Sequence, residues 1–371
     1  MEKKFFGLSF FVAATNLSTK TKGLTWREIK QRKRKWKEER TIKKLEKMQK
    51  EEMGEEEVEV KSDCKPCELI TMSIAVPGSI LQNAQSNELR AYVAGQIARA
   101  ACIYKINEVI VFDDAEEEPL ASNEKSLVKC SKYCLQFGRL LQYLECPQYL
   151  RKYFFPLHSD LQYAGIMNPL DAPHHLRQDE NNDFREGVTL DKPVKNDKGT
   201  FVEVGLTKQV LVYKHLQPGL RVTVKLNPPK ENSKKLKGEI VSPNFPLLDS
   251  NLYWGYTVRI AHSISEVFLN CPYKGGYDLS IGTSDKGKNI DEIKKKDLRN
   301  FKHGLIVFGG LQGLENIVEK DTTLNVENVS HLFDFYINTC PNQGSRTIRT
   351  EEAVFITLAE LRKKCLKIIN V

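Results

Sequence analysis

No apolar stretch in the 371-residue sequence approaches the ~20 residues that a membrane-spanning helix needs. The longest, near residues 5–14, is about half of that. An integral membrane protein is not expected. Cysteine is too sparse and too irregular for a disulfide scaffold: the nine thiols are odd in number and show no regular spacing, as expected of reduced side chains. Metal-ligand patterns are thin as well. Cys64-Lys65-Pro66-Cys67 is a lone C-x-x-C without a second pair at zinc spacing, and neither Cys130 with Cys134 nor His174 with His175 completes a site. No metal is expected. There is no internal repeat.

What is present points to a folded chain. Apolar residues make up 40% of the total, with 17 Phe, 13 Tyr and 3 Trp, enough for a real core. The length suggests two or three domains at ~100–200 residues each. The formal charge is +8, but it is unevenly placed. Residues 20–50 hold fourteen Lys/Arg against four Glu, a surplus of ten, so the remainder is slightly acidic. An acidic run, Glu51, Glu52, Glu55, Glu56, Glu57 and Glu59, follows at once. Residues 1–68 therefore read as a helical or disordered arm. Composition leaves two roles open: a solubilising tail, or a polyanion-binding arm and nuclear address centred on Gln31-Arg32-Lys33-Arg34-Lys35. Lys3, Lys4 and the apolar run after them imitate a secretory leader. The cysteine pattern argues against export, so an intracellular protein is expected.

From Leu69 onward the texture is that of an α/β fold. Residues 69–76 form a nearly continuous apolar run stopped by Pro77-Gly78, and Val109-Ile110-Val111-Phe112 ends in Asp113-Asp114; both read as strands buried on two faces. Between them Leu89, Tyr92, Val93, Ile97 and Ala100 mark one face of a helix that Ser86 or Asn87 can cap. Strand, helix and strand in this order predict a parallel sheet. A further helix is expected over 135–150 and a loop over 115–129. The middle of the chain alternates with period two in short runs at 201–206, 210–213, 221–226, 238–241 and 253–260. These predict a small OB-like barrel inserted over 184–262 between an N-terminal part, 69–183, and a C-terminal part, 263–371. Residues 351–361 read as a helix with Thr350 as N-cap and two glutamates in its first turn.

Three late strands each run into a loop of small or polar residues, and ligands in α/β sheets bind beyond the carboxyl ends of strands. The loops begin at Gly282-Thr283-Ser284, at Gly309-Gly310 and at Asn338-Thr339-Cys340-Pro341. Gly282 to Lys288 has P-loop spacing, but Asn289 stands where a magnesium-binding hydroxyl belongs. Gly309-Gly310-Leu311-Gln312-Gly313 likewise lacks the dinucleotide fingerprint. Nucleotide triphosphates are not expected.

The segment Val307-Phe308-Gly309-Gly310-Leu311-Gln312-Gly313-Leu314-Glu315 is followed by Asn338-Thr339-Cys340-Pro341-Asn342-Gln343-Gly344-Ser345-Arg346-Thr347-Ile348-Arg349. Together they resemble the C-terminal motifs of SPOUT-class RNA methyltransferases, most closely the eukaryotic members. Further similar stretches are Val76-Pro77-Gly78-Ser79-Ile80-Leu81, residues 144–152, Asn168-Pro169-Leu170-Asp171 and residues 253–259. The resemblance covers about 69–361.

It implies a Rossmann-like parallel sheet with a C-terminal trefoil knot, a homodimer, RNA as substrate and S-adenosylmethionine as methyl donor. Its cofactor loops would comprise Thr283, Ser284, Lys286 and Gly287, then Gly309, Gly310 and Gly313, then Asn338, Thr339, Gln343, Ser345, Thr347 and Ile348. It also brings an expectation of nuclear location and, as the alternative to an enzyme, of a non-catalytic RNA-binding or spindle- and kinetochore-associated structural protein that retains the cofactor fold. Candidates for catalysis are Arg90, Asn83 and Arg349, with Arg346 and Glu352 nearby, and no general base is assigned. An arginine stays protonated, so its natural role is to hold phosphate or negative charge. Tyr253, Trp254 and Tyr256 are candidates for stacking on bases or for the core. Lys230, Lys234, Lys235 and Lys237 form a basic loop, fit for RNA phosphates or simply solvated.

Overall fold

The computed structural model describes residues 70–114, 130–192, 199–228, 236–298, 301–321, 323–324, 326 and 328–369. The arm with Arg32, Lys33, Arg34 and Lys35, the 115–129 segment, the Cys64/Cys67 pair, and Lys234 and Lys235 lie outside the described residues.

Six strands form one all-parallel sheet: β1 Thr71–Pro77, β2 Glu108–Phe112, β8 Thr257–Ala261, β9 Leu279–Asn289, β10 His303–Val307 and β11 Phe335–Asn338, in the order β11-β9-β10-β1-β2-β8. Alternation sends successive side chains to opposite faces. Ile74, Val76, Val109, Val111, Ile306 and Phe308 point into one core, packed with α2 Asn87–Ile103, α3 Lys132–Glu145 and α8 Thr350–Ile369. Ala75, Ile110, Phe112, Leu305 and Val307 point into the other, against α6 Ile264–Leu269 and α7 Gly313–Lys320. Both faces are covered, which is why the β1 and β2 sequences are continuous apolar runs. The short α1 Ser79–Gln82 starts directly after β1.

Between α4 Gln148–Phe154 and α5 Phe245–Ser250 a third core closes on Val202, Val204, Val210, Val212 and Val224. It is a closed five-stranded barrel of β3 Phe184–Thr189, β4 Thr200–Glu203, β5 Val210–Val212, β6 Arg221–Leu226 and β7 Leu236–Val241, ordered β3-β4-β5-β7-β6. Only the β5–β7 pair is parallel.

Four local expectations are corrected. The run at 253–260 is not a barrel strand; β8 pairs with β2 at the edge of the large sheet. In α2 the buried face is Ala91, Ala94, Gly95, Ala98 and Ala101 with Ile97 and Ala100, while Leu89 and Tyr92 are exposed. Small side chains let α2 approach its neighbours closely, and periodicity weighted by hydrophobicity misses them. The helix expected over 135–150 is broken at Cys146-Pro147, where proline disfavours a helical conformation for the residue before it. Ser86 does cap α2, accepting from the Leu89 amide. Thr350, by contrast, is the first helical residue of α8, and its hydroxyl serves another purpose.

The two bodies share a buried charged junction. Arg221 on β6 donates to both Glu145 oxygens at 2.6 and 2.9 Å and to Glu186 at 2.8 Å. Glu186 also accepts from Thr223 Oγ1 and from Trp254 Nε1. Arg221 and His174 hold the Glu145 carboxyl well below its usual range, against burial, which acts to raise it. Tyr253 and Tyr256 donate to the carbonyls of Ile106 and Leu141. All three aromatics of 253–256 are therefore core, not a stacking platform.

A candidate cofactor cavity beyond β9, β10 and β11

The chemistry gathers at the carboxyl ends of three neighbouring strands. β9 runs to Asn289, but its register with β11 jumps: Gly282 faces Tyr336, and the next β11 residue, Ile337, faces Lys288. The intervening residues 283–287 bulge from the sheet, which places Thr283 and Ser284 at its rim. The β10 loop turns tightly at Phe308-Gly309-Gly310, with the Gly313 amide donating to the Gly310 carbonyl at 3.0 Å. Gly313 has φ of +81°, a conformation that favours glycine. A Cβ on Gly309 would lie 2.7 Å from the Leu314 backbone nitrogen, so no side chain fits there.

The loop after β11 is ordered by its own hydrogen bonds. Asn338 donates to the Asp285 carbonyl at 2.9 Å and accepts from the Cys340 amide at 3.0 Å. Gln343 donates to the Ser345 carbonyl, and the Ser345 hydroxyl to that of Thr347. α8 then pins the assembly: Thr350 Oγ1 donates to the Gly309 carbonyl at 2.9 Å, and Thr357 and Thr339 share a hydroxyl contact of 2.9 Å.

A cavity of about 160 Å³ lies among these loops. The structure brings Thr283, Ser284, Gly309, Gly310, Gly313, Asn338, Thr339, Gln343, Thr347 and Ile348 to its wall. Three of the residues named from sequence sit elsewhere. Lys286 points out, its ammonium 3.4 Å from Glu315; a Cβ on Gly287 would strike the Ile337 backbone; and Ser345 braces the loop from behind. Burial acts to raise the Glu315 carboxyl, but its own backbone, the neighbouring Tyr336 hydroxyl, the Lys286 charge and a hydrogen bond from Ser284 hold it below its usual value.

The wall also contains Asp285, Phe308, Cys340, Arg346, Ala353, Ile356 and Thr357. Of these, Ala353, Ile356 and Thr357 fall at i, i+3 and i+4 on α8, a spacing that the sequence already displays.

Of the catalytic candidates Arg346 is at the wall, whereas Arg90, Asn83 and Arg349 are not. Arg90 donates to the Leu81 carbonyl and to Asn87, and its guanidinium lies 5.0 Å from the Tyr133 ring centre. Asn83 is the exposed C-cap of α1. Arg349 is exposed, and its amide donates to Glu352 at 3.0 Å, which occupies that carboxylate as a helix-start cap. Among the described residues no helix is long and apolar enough to cross a membrane.

A three-layer α/β body whose strand ends converge on a cavity of small residues, joined to a β-barrel, is an architecture suited to a ligand-using enzyme. Residues 71–361 match the family described as "Putative RNA methyltransferase", and the chain belongs to that family. The chain is similar to a "28S rRNA (uridine-N(3))-methyltransferase" of Drosophila melanogaster, 51% identical over 92% of this chain and 73% of the relative. It is also similar to a protein of the same name from Homo sapiens, 52% identical over 79% and 78%.

Proposed function

We propose that this chain transfers a methyl group from S-adenosylmethionine to N3 of a uridine in large-subunit ribosomal RNA. The observation that carries the reading is the convergence of three strand-end loops on one cavity, in a chain about half identical to relatives bearing that activity in their names. Phe308, Ile348, Ala353 and Ile356 offer apolar walls for an adenine ring, and Thr283, Ser284, Asp285 and Asn338 offer partners for ribose hydroxyls. That donor set fits the adenosyl group, and Asp285 suits a sulfonium charge. When bound, the cofactor supplies an electrophilic methyl group. The protein's part is to hold the loops open, exclude bulky side chains at Gly309 and Gly310, and align the acceptor.

A C-terminal trefoil knot of SPOUT type, as the family resemblance implies, belongs to the same proposal. Exposed Leu89 and Tyr92 on α2 support a homodimer. The barrel order, with one parallel pair between its third and fifth strands, is that of an OB-fold and supports a role in gripping RNA together with the basic arm. A ribosomal RNA substrate supports nuclear location.

The test is methyl transfer by the full chain from labelled S-adenosylmethionine to transcribed 28S rRNA, with the product nucleoside identified. Labelled 3-methyluridine is expected. Gly310→Leu should abolish both transfer and cofactor binding by calorimetry, because even a Cβ there meets Ser79 Oγ at 3.1 Å. Cofactor binding undiminished by Gly310→Leu would remove the cavity assignment.

A further inference from the structure

The acceptor in this reaction is an amide-like N–H whose proton must leave before or during attack, so the site needs a proton acceptor. The sequence offers none, and the cavity wall offers only Asp285. The strand order shows where to look. From β1 the chain adds β2 and then β8 on one side, whereas β10, β9 and β11 lie on the other, so the crevice between β1 and β10 is the point where the order reverses. In open α/β sheets ligands bind at this point, beyond the carboxyl ends.

Ser79, just after β1, Asp114, just after β2, and Gly310, after β10, meet there. A Cβ on Gly310 would lie 3.1 Å from Ser79 Oγ and 3.4 Å from Asp114 Oδ2. Gly310 is also a wall residue of the cavity, so the Asp114 carboxylate borders the cofactor loops without belonging to them. Ser79 holds it at two points: its hydroxyl donates to Oδ2 at 2.5 Å and its amide to Oδ1 at 3.0 Å. Those bonds fix the plane of the carboxylate and leave further lone pairs on each oxygen.

The other acids near the cavity are unsuited. Glu315 is engaged by Ser284 and Lys286, and Glu352 by the Arg349 amide. Asp113, next in the chain, turns the other way and accepts from the Ser131 amide at the start of α3.

Resting on the uridine-N3 reading above, we propose that the acceptor uracil docks in the β1–β10 crevice and that Asp114 is the catalytic base that takes its N3 proton. The N3–H bond breaks and an O–H bond forms on the carboxylate. The electron pair stays on the uracil, delocalised over N3, O2 and O4, and the proton later leaves Asp114 to water. Burial raises the Asp114 carboxyl above its ordinary value despite the Ser79 hydrogen bonds, and the Asp113 charge adds to this. From α3 the facing titratable group is the Cys134 thiol, which burial keeps protonated.

Two measurements test the assignment in the full chain. In the first, carbon-13 NMR of carboxyl-labelled aspartate, with the Asp114 signal assigned by its loss in Asp114→Asn, is recorded without cofactor. Uridine should move the signal, and 3-methyluridine, which has no N3–H, should not. Equal effects of the two nucleosides, or no effect of either, overturns the proposal whether or not the protein turns over.

The second measurement is the single-turnover rate on transcribed 28S rRNA. The wild-type rate should rise with pH through the Asp114 ionisation and then level. Asp114→Asn should be slower by roughly 10²–10⁴-fold at pH 7 and climb steadily to pH 9 as uracil ionises unaided, with cofactor affinity and melting temperature unchanged. Ser79→Ala, which removes a donor to the carboxylate, should shift the acid limb of the wild-type profile to higher pH. A slowed Asp114→Asn with an unaltered pH profile would mean a structural role and overturn the proposal. If wild type methylates no uridine while the NMR discrimination persists, it is the parent reading that fails.

Discussion

Arg221→Met probes the junction that fixes the barrel to the sheet domain. The guanidinium neutralises two carboxylates whose side chains are only 9% and 4% exposed, and methionine keeps most of its volume. Glu186 retains Thr223 and Trp254, whereas Glu145 retains only His174 Nε2, at 3.2 Å. Breaking one side of a buried pair costs roughly 3–5 kcal/mol. For a body of this size that is a fall in melting temperature of roughly 6–20 °C.

The pH dependence gives the sharper criterion. In wild type the folded Glu145 carboxyl is depressed below its unfolded value of about 4.3. Its contribution is therefore complete above that pH and lost as the pH falls through the folded value. In the variant, burial without the guanidinium raises the same carboxyl, so the penalty is largest at pH 7 and shrinks as Glu145 takes up a proton in mild acid. Scanning calorimetry at pH 7.5 and pH 5, with Trp254 fluorescence as a local reporter, measures the gap between the two proteins. Glu145→Gln added to Arg221→Met should recover part of the loss. A gap under about 1 kcal/mol at pH 7.5, or one no smaller at pH 5, would refute the reasoning and show that Arg221 acts as an ordinary surface partner, since exposed pairs are worth up to about that much.

Thr350→Val removes the hydroxyl that ties α8 to the Gly309 carbonyl; about 1 kcal/mol of stability and a measurable part of cofactor affinity should go with it, read by melting and calorimetry. Gly309→Ala must displace the Leu314 backbone, so cofactor binding should fall much further than thermal stability. His175, kept near a pKa of about 4 chiefly by burial, is neutral in the fold and charged in the unfolded chain below pH 6.5. Its contribution is present above pH 6.5 and lost towards pH 4. His175→Gln should flatten the fall of stability over that window, and an unchanged slope would assign the titration elsewhere.

Strands with both faces buried announce themselves by composition alone, which is why β1 and β2 are legible as continuous apolar runs. The barrel was legible by its period-two alternation, but alternation says nothing about partners, so β8 was drawn into the wrong sheet. The small-residue face of α2 carried no hydrophobic signal, because alanine and glycine pack by proximity and not by area. At the cavity, the loops betrayed themselves through glycine and small polar residues. Thr357 and Ile356 did not, because they reach the wall only through the docking of α8. Asp114 and Ser79 are 35 positions apart and meet only because β1 and β2 are neighbours in register.

The inserted barrel joins the sheet domain at the end remote from the cavity. A Cβ built on Gly255, just ahead of β8, would lie 2.6 Å from Glu145 Oε1 at the close of α3, and β8 begins opposite the first residue of β2. The five residues of β2 then separate that junction from Asp114, a span of roughly 17 Å. If the barrel grips RNA as proposed, a transcript held there by one polypeptide presents for modification not the nucleotides being gripped but others farther along the strand. Site selection becomes a matter of distance measured from an anchor, and lengthening the 242–256 connection would move the mark.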